Sequence, residues 1–300
     1  MTETRNILLL GRTGSGKSAL ANVLTNTNEF TESSGSTSTT KGVQTETTEI
    51  KLTQDGSERV NYRIIDTIGI GDTKLTEQGY FEKLSEVVDE IKDGLNQILF
   101  VVRGKMTKEE TEAYGLLITC IFDEEAINYT TIIRTGFPEF FDDDACKKDK
   151  EEVMNERPDI AEIMKSFKFV HVDNQPLKGL PKSIEGAKEA RELSRKKLLN
   201  YLSTCRTIYK PSNLEILGEK IKNCATNQER IKILRGNMEE RLTDVIEKVK
   251  QSWIDSVNYG TSRSEYTVGK IAGGLLGFVA GGFGATLATG VLIVKILRGK

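Results

Sequence analysis

Histidine is almost missing from this 300-residue chain, with His171 as its single instance. That excludes a His-rich zinc enzyme and any His-dependent catalytic triad not built on His171. Cysteine is scarce too. The four residues Cys120, Cys146, Cys205 and Cys224 lie far apart with no Cys-x-x-Cys pair, so they read as reduced intracellular thiols, not a disulfide framework. An excess of either charge is lacking: 42 basic residues face 44 acidic ones, for a net charge of −2. A protein that coats nucleic acid is usually strongly basic, so no nucleic-acid partner is expected. The N-terminal apolar run is four residues long and enters a glycine-rich loop, which does not suit a signal peptide. Long uncharged runs are absent with one exception, Ile271 to Val294, bracketed by Lys270 and Lys295.

Apolar residues make up 37% of the chain and charged residues 29%, enough for a packed core. Asn6 to Leu10 is a short apolar run ending at Gly11, as expected of a buried parallel strand. Lys17 to Thr25 reads as a helix, and residues 27–45, rich in Ser and Thr, read as a loop. Glu46 to Thr53 and Arg59 to Ile65, joined by a turn at Gln54–Ser57, predict an antiparallel hairpin. Further strands are expected at Gln97–Val102, Thr130–Ile133 and Lys168–Val172, with helices near 80–93, 107–122, 146–166 and 184–204. Strands alternating with helices imply an α/β sheet with helices on both faces.

Gly11-Arg12-Thr13-Gly14-Ser15-Gly16-Lys17-Ser18 fits G-x-x-x-x-G-K-[ST], between a predicted strand and a predicted helix. Glycines let successive backbone N–H groups turn toward phosphate oxygens, and the helix that follows, with Ala19 behind Ser18 in its first turn, brings its N-terminus to the same anion. In such a loop Lys17 reaches the β- and γ-phosphates and the Ser18 hydroxyl ligates Mg²⁺. Asp66-Thr67-Ile68-Gly69 follows the next predicted strand. There Asp66 is placed to hold the metal's water shell and Gly69 to sense a γ-phosphate. Thr40, in the Ser/Thr-rich loop, is the candidate to close on Mg²⁺ and the γ-phosphate. The expected catalytic residues are Lys17 and Thr40, and the expected metal residues are Ser18, Thr40 and Asp66. No glutamine follows Gly69; the next residues are Ile70, Gly71 and Asp72. Hydrolysis is therefore expected to be slow unless a partner or a second copy supplies the missing group.

GRTGSGKSALANVL, STTKGVQ, DTIGIGDT and RGKMTKEE, in that order, resemble the avirulence-induced and immunity-associated (GIMAP) GTPases, in the septin- and Toc-like branch of P-loop GTPases. The resemblance spans about residues 5–205. It implies a P-loop GTPase fold, a mostly parallel sheet with one antiparallel edge strand, and GTP or GDP with Mg²⁺ as ligands. It puts the switch threonine on Thr40 and the family's distinctive box on Gly104–Glu110. The family's guanine-reading element falls on Arg134–Glu139. Gly136 there lacks the aliphatic stem that normally stacks on the base, and Glu139 sits one place later than the usual acid, with Asp142 a further candidate. A carboxylate suits guanine because the base offers a pair of N–H donors. The second base element is Val170–Pro176, with Asn174 as the guanine-edge residue. Thr135 completes the nucleotide-binding set, and His171 reads as a packed core residue.

The expected organisation is a nucleotide-binding domain over residues 1–210, a helical extension over 211–268 and a glycine-rich apolar tail over 269–300. No proline follows Pro211. From Asn213 to Asp255 apolar residues recur at helical spacing, which suits either a coiled coil or a helix folded back on the domain. Residues 271–294 are the candidate membrane anchor, about 36 Å long as a helix against a hydrocarbon core of about 30 Å. The expected protein is a cytoplasmic, tail-anchored, homo-oligomerising GTPase. A GTP-binding scaffold with negligible turnover and a P-loop ATPase are the alternatives.

Overall fold

The structure, a computed structural model, describes residues 3–32, 43–51, 59–67, 69, 77–106, 122, 124–156, 167–212 and 214–225. The elements are β1 (Glu3–Leu10), α1 (Lys17–Thr25), β2 (Gln44–Lys51), β3 (Arg59–Asp66), α2 (Glu77–Glu90), β4 (Gln97–Arg103), a 3₁₀ turn (Glu124–Tyr129), β5 (Thr130–Thr135), α3 (Asp143–Glu156), β6 (Lys168–His171), α4 (Pro181–Leu202) and α5 (Leu214–Ala225). The strands form one sheet in the order β2-β3-β1-β4-β5-β6. Every neighbouring pair is parallel except β2 with β3, whose register runs from Gln44 opposite Asp66 to Lys51 opposite Arg59. The expected α/β sheet with one antiparallel edge is therefore present.

The apolar run in β1 is covered on both sides. Leu8 and Leu10 join Phe100, Ile132 and the α2 residues Val87 and Val88 on one face. Ile7 and Leu9 join Leu99, Ile133, Leu20 of α1 and Leu198 of α4 on the other. Side chains alternate across a strand, so a strand buried twice must be apolar throughout. β1 has β3 on one side and β4 on the other. The chain thus reverses its direction of travel across the sheet at β1, and the crevice outside the strand C-termini at such a point is where open α/β sheets bind ligands.

Several element boundaries differ from the sequence expectation for local reasons. α2 stops at Glu90, where the Gly94 N–H donates to the Ile91 carbonyl at 2.9 Å and closes a turn. α3 begins at Asp143 because the Asp142 carboxylate caps the N–H groups of Asp144 and Ala145 at 2.9 and 3.0 Å. α4 begins at Pro181, a residue well suited to the first position of a helix. The 3₁₀ turn before β5 was not foreseen. The predicted helix at 107–122 falls almost wholly outside the described residues.

Beyond α4 the chain returns to the sheet. Leu95 and Tyr209 exchange backbone hydrogen bonds of 2.8 and 2.7 Å, and α5 then packs along α2. A Cβ on Gly218 would fall 2.9 Å from Val88 Cγ1, and Lys222 lies 3.1 Å from Asp89. The first turns of the helical extension are therefore folded back on the domain. The remainder of that extension and the whole of 271–294 lie outside the described residues. Among the described residues no helix is long and apolar enough to cross a membrane.

Candidate functional site

The loop from Gly11 to Gly16 connects β1 to α1 at the crevice just described. Gly11 has φ +144°, and a Cβ there would meet the Val101 carbonyl oxygen at 2.3 Å, so this position admits no side chain. Lys17 is buried, and its ammonium donates to the Gly11 and Arg12 carbonyls at 2.8 and 3.0 Å. The cation is thus curled over the loop. Thr13, Gly14, Gly16, Lys17, Ser18 and Ala19 line one wall of a cleft.

The Ser18 hydroxyl donates to Asp66 Oδ2 at 2.7 Å. Burial raises the Asp66 carboxyl above its ordinary range, and the Lys17 charge and the Ser18 hydrogen bond oppose that rise. Its second oxygen, Oδ1, is buried without a hydrogen-bond partner, as is Ser15 Oγ beneath the loop. A hydroxyl and an under-satisfied carboxylate are oxygen donors of the kind a hard divalent cation takes. The residues present therefore fit Mg²⁺. Gly69 backs onto the phosphate loop so closely that a Cβ would fall 2.3 Å from the Thr13 nitrogen. Thr40, Ile68, Ile70 and Thr107–Glu110 lie outside the described residues.

The other end of the cleft is built from the segments after β5 and β6. Thr135 reaches the cleft, but its hydroxyl is committed to the Ser15 carbonyl at 2.6 Å, so it joins this wall to the phosphate loop. Glu139 does not line the cleft. The Phe137 N–H donates to the Val172 carbonyl at 3.2 Å and the Phe140 side chain is buried, which turns Glu139 out to solvent. Asp142 is spent on capping α3. Two acids line the cleft, Glu32 and Asp173, and Asp173 is buried and accepts from Gln175 Nε2 at 2.7 Å. Sequence reasoning passed over it, and its one signal was adjacency to Asn174. The Asp173 N–H and carbonyl both bond Ser194 Oγ, at 3.0 and 3.2 Å, which latches the loop to α4. Asn174 lines the cleft, and both polar atoms of its amide are buried with no partner.

Two ion-paired groups, one half-buried and one buried, brace these walls. Arg191 grips Glu32 through two hydrogen bonds of 2.9 and 2.7 Å and donates to the Gln175 carbonyl at 2.8 Å. Glu32, on the rim, was not foreseen. Arg134 and His171 both hold Asp149, at 2.6 and 2.8 Å. Burial alone would raise the Asp149 carboxyl, but these two partners hold it well below the usual range. His171 is buried against Phe137 with ring centroids 4.9 Å apart, a packed core histidine as expected.

Comparison with known proteins agrees with this arrangement. Residues 5–178, more than half the chain, match the model of the AIG1 family. Among curated proteins, Immune-associated nucleotide-binding protein 3 of Arabidopsis thaliana is 31% identical over 134 residues, covering 44% of this chain and 38% of the relative. Immune-associated nucleotide-binding protein 10 of the same plant is 29% identical over 147 residues, covering 48% and 30%. The chain thus spans well under half the length of these relatives. Among solved structures, Toc33 from Arabidopsis thaliana in complex with GDP and Mg²⁺ overlays 69% of this chain and 88% of its own, with 16% identity and a TM-score of 0.45. The family match begins in β1, takes in the phosphate loop, Asp66 and the Asn174 loop, and ends before α4, so it covers every wall of the cleft: the chain belongs to the AIG1 family.

Proposed function

We propose that this chain binds guanine nucleotide with Mg²⁺ in the cleft, hydrolyses GTP slowly, and acts as an oligomerising switch at a membrane surface. The observation that carries the reading is Asn174. A buried amide with neither its donor nor its acceptor used is costly unless a ligand completes it. It lies in one cleft with a phosphate loop, and a purine edge offers the complementary groups. Asp173, next to it, is the acid nearest to the role first expected of Glu139.

On binding, Lys17 exchanges the Gly11 and Arg12 carbonyls for phosphate oxygens, and the loop N–H groups supply the remaining donors. Ser18 and Asp66 would hold the Mg²⁺, which supplies charge neutralisation across the β- and γ-phosphates. Thr40 is the proposed residue that closes over the γ-phosphate. Ile70 stands where small GTPases place a water-orienting glutamine, which supports slow turnover in the isolated chain and stimulation by a second copy. The uncharged run 271–294 is the proposed membrane attachment, leaving the nucleotide domain cytoplasmic.

The test is to identify the nucleotide that co-purifies with the full chain and follow GTP hydrolysis against protein concentration. GDP in the purified protein, and a specific rate that rises with concentration, are expected. ATP competing with GTP at equal concentration would overturn the guanine reading, and a fast rate that survives dilution would overturn the dimer-assisted one.

A further inference from the structure

Gly136 leaves the base-reading wall one side chain short, and the structure shows what stands in that space. Arg103, the last residue of β4, is the register partner of Thr135. A Cβ built on Gly136 would lie 3.1 Å from Arg103 Nε and 3.7 Å from both its Cγ and Cζ. Stem and guanidinium therefore lie alongside the glycine, over the ground a longer side chain would cover. Gly136 also has φ +66°, a conformation that L side chains rarely adopt. Arg103 is exposed and lines the cleft together with Gly136 and Asn174. The neighbouring cations are otherwise engaged: Arg134 with Asp149 and the Gly104 carbonyl, and Lys17 with the phosphate loop.

We propose that Arg103 is the base platform of this site, its planar guanidinium and aliphatic stem stacking on one face of the purine in place of the side chain missing at position 136. The inference rests on the nucleotide reading above. An arginine is suited to the task because its guanidinium is flat, weakly hydrated and attracted to aromatic faces. The arrangement transfers the stacking group from the turn after β5 to the end of the adjacent strand β4. It also accounts for a base element that departs from the family pattern within an otherwise intact site. Stacking supplies affinity for any purine, so discrimination of guanine is left to Asn174 and Asp173.

The experiment measures GDP and GMP binding to the full chain by calorimetry and competition. Wild type that binds no guanine nucleotide overturns the functional reading itself, and with it this inference. Given wild-type binding, Arg103→Ala should weaken GDP and GMP alike by about tenfold. Arg103→Met, which keeps the stem, should lose about threefold, and Arg103→Lys should do no better than Met. GDP binding should move the Arg103 Nε–H resonance upfield, as expected over a purine ring. Arg103 would instead be a phosphate contact, and the proposal wrong, if GDP weakened while GMP did not, if Arg103→Lys restored full affinity, or if the resonance moved downfield. An Arg103→Ala protein that binds GDP like wild type also ends it. Arg103 is exposed, so loss of fold does not confuse these outcomes.

Discussion

The two ends of the sheet both bury polar side chains, and they treat them differently. At the N-terminal ends of the strands, Arg5 is fully buried and donates to Tyr62 Oη and to the Leu202 and Ser203 carbonyls at 3.4, 3.4 and 3.1 Å. Gln97 donates to Thr131 Oγ1 at 2.6 Å and to Tyr201 Oη at 3.1 Å. Asn96 accepts from the Asn6 N–H at 2.9 Å, and the Asn6 amide donates to the Gly94 carbonyl at the same distance. At the C-terminal ends, Ser15 Oγ, Asp66 Oδ1 and the whole Asn174 amide are buried with nothing to bond. Polar groups that complete one another hold a fold together. A polar group left incomplete in a cleft, as Asn174 is, indicates a molecule that is expected there.

Mutations should separate the two ends, beginning with the scaffold. Arg5→Ala strands buried carbonyls at the end of α4 and should cost about 3 kcal/mol, or roughly 10 °C in melting temperature. GDP affinity should be unchanged; if it fell in step with stability, the division between the ends would be false. Lys17→Ala should do the reverse, lowering GDP affinity by about a hundredfold with little change in melting. Calorimetry and thermal unfolding of the same sample read both effects.

Asn174→Ala sharpens the contrast. It should weaken GDP binding by about tenfold and leave the nucleotide-free protein as stable as before, or slightly more so, because an unsatisfied buried amide is removed. A nucleotide-free protein that melts markedly earlier would mean that the amide serves the scaffold. The smallest effect concerns pH. Burial raises the Asp66 carboxyl in the folded, nucleotide-free protein, while the unfolded chain ionises in the ordinary aspartate range. Its contribution to stability is complete below that ordinary range and is lost as pH rises through the raised value. Denaturant titrations across acidic pH should show this slope, and Asp66→Asn should flatten it.

What was legible in the sequence was what depends on near neighbours. Asn6–Leu10 is apolar throughout because both faces are covered, and Gly11–Ser18 spells out its own backbone geometry. α1 was expected at Lys17–Thr25 and is found there. Asn174 was legible because it follows a buried strand within a few residues. The order of the strands was not legible, since alternation of strand and helix does not say on which side of β1 each new strand lands. Glu139 was chosen because the family's guanine-reading element falls on Arg134–Glu139, and the turn that points it away depends on Val172, distant in sequence. Arg103 carries no local signal and Asp173 only its adjacency to Asn174: one matters through the empty space at Gly136, the other through its latch to Ser194. That the first turns of the extension, Leu214–Ala225, lie against the domain needed the Val88 surface that receives Gly218.

The strand order also bears on how the margins of this sheet resist stray strand pairing. Its sheet ends in β2 on one side and β6 on the other. β6 is four residues long, too short to template a stranger's strand. β2 is eight residues long, and its sequence QTETTEIK has a single large apolar residue, Ile50, which is turned into the core. Glu46 and Glu49 put negative charge along the rest. A chain seeking to extend the sheet there would have to strip water from two carboxylates and would find no oily strip in return. Replacing those charges with valine would turn a quiet margin into an aggregation-prone one.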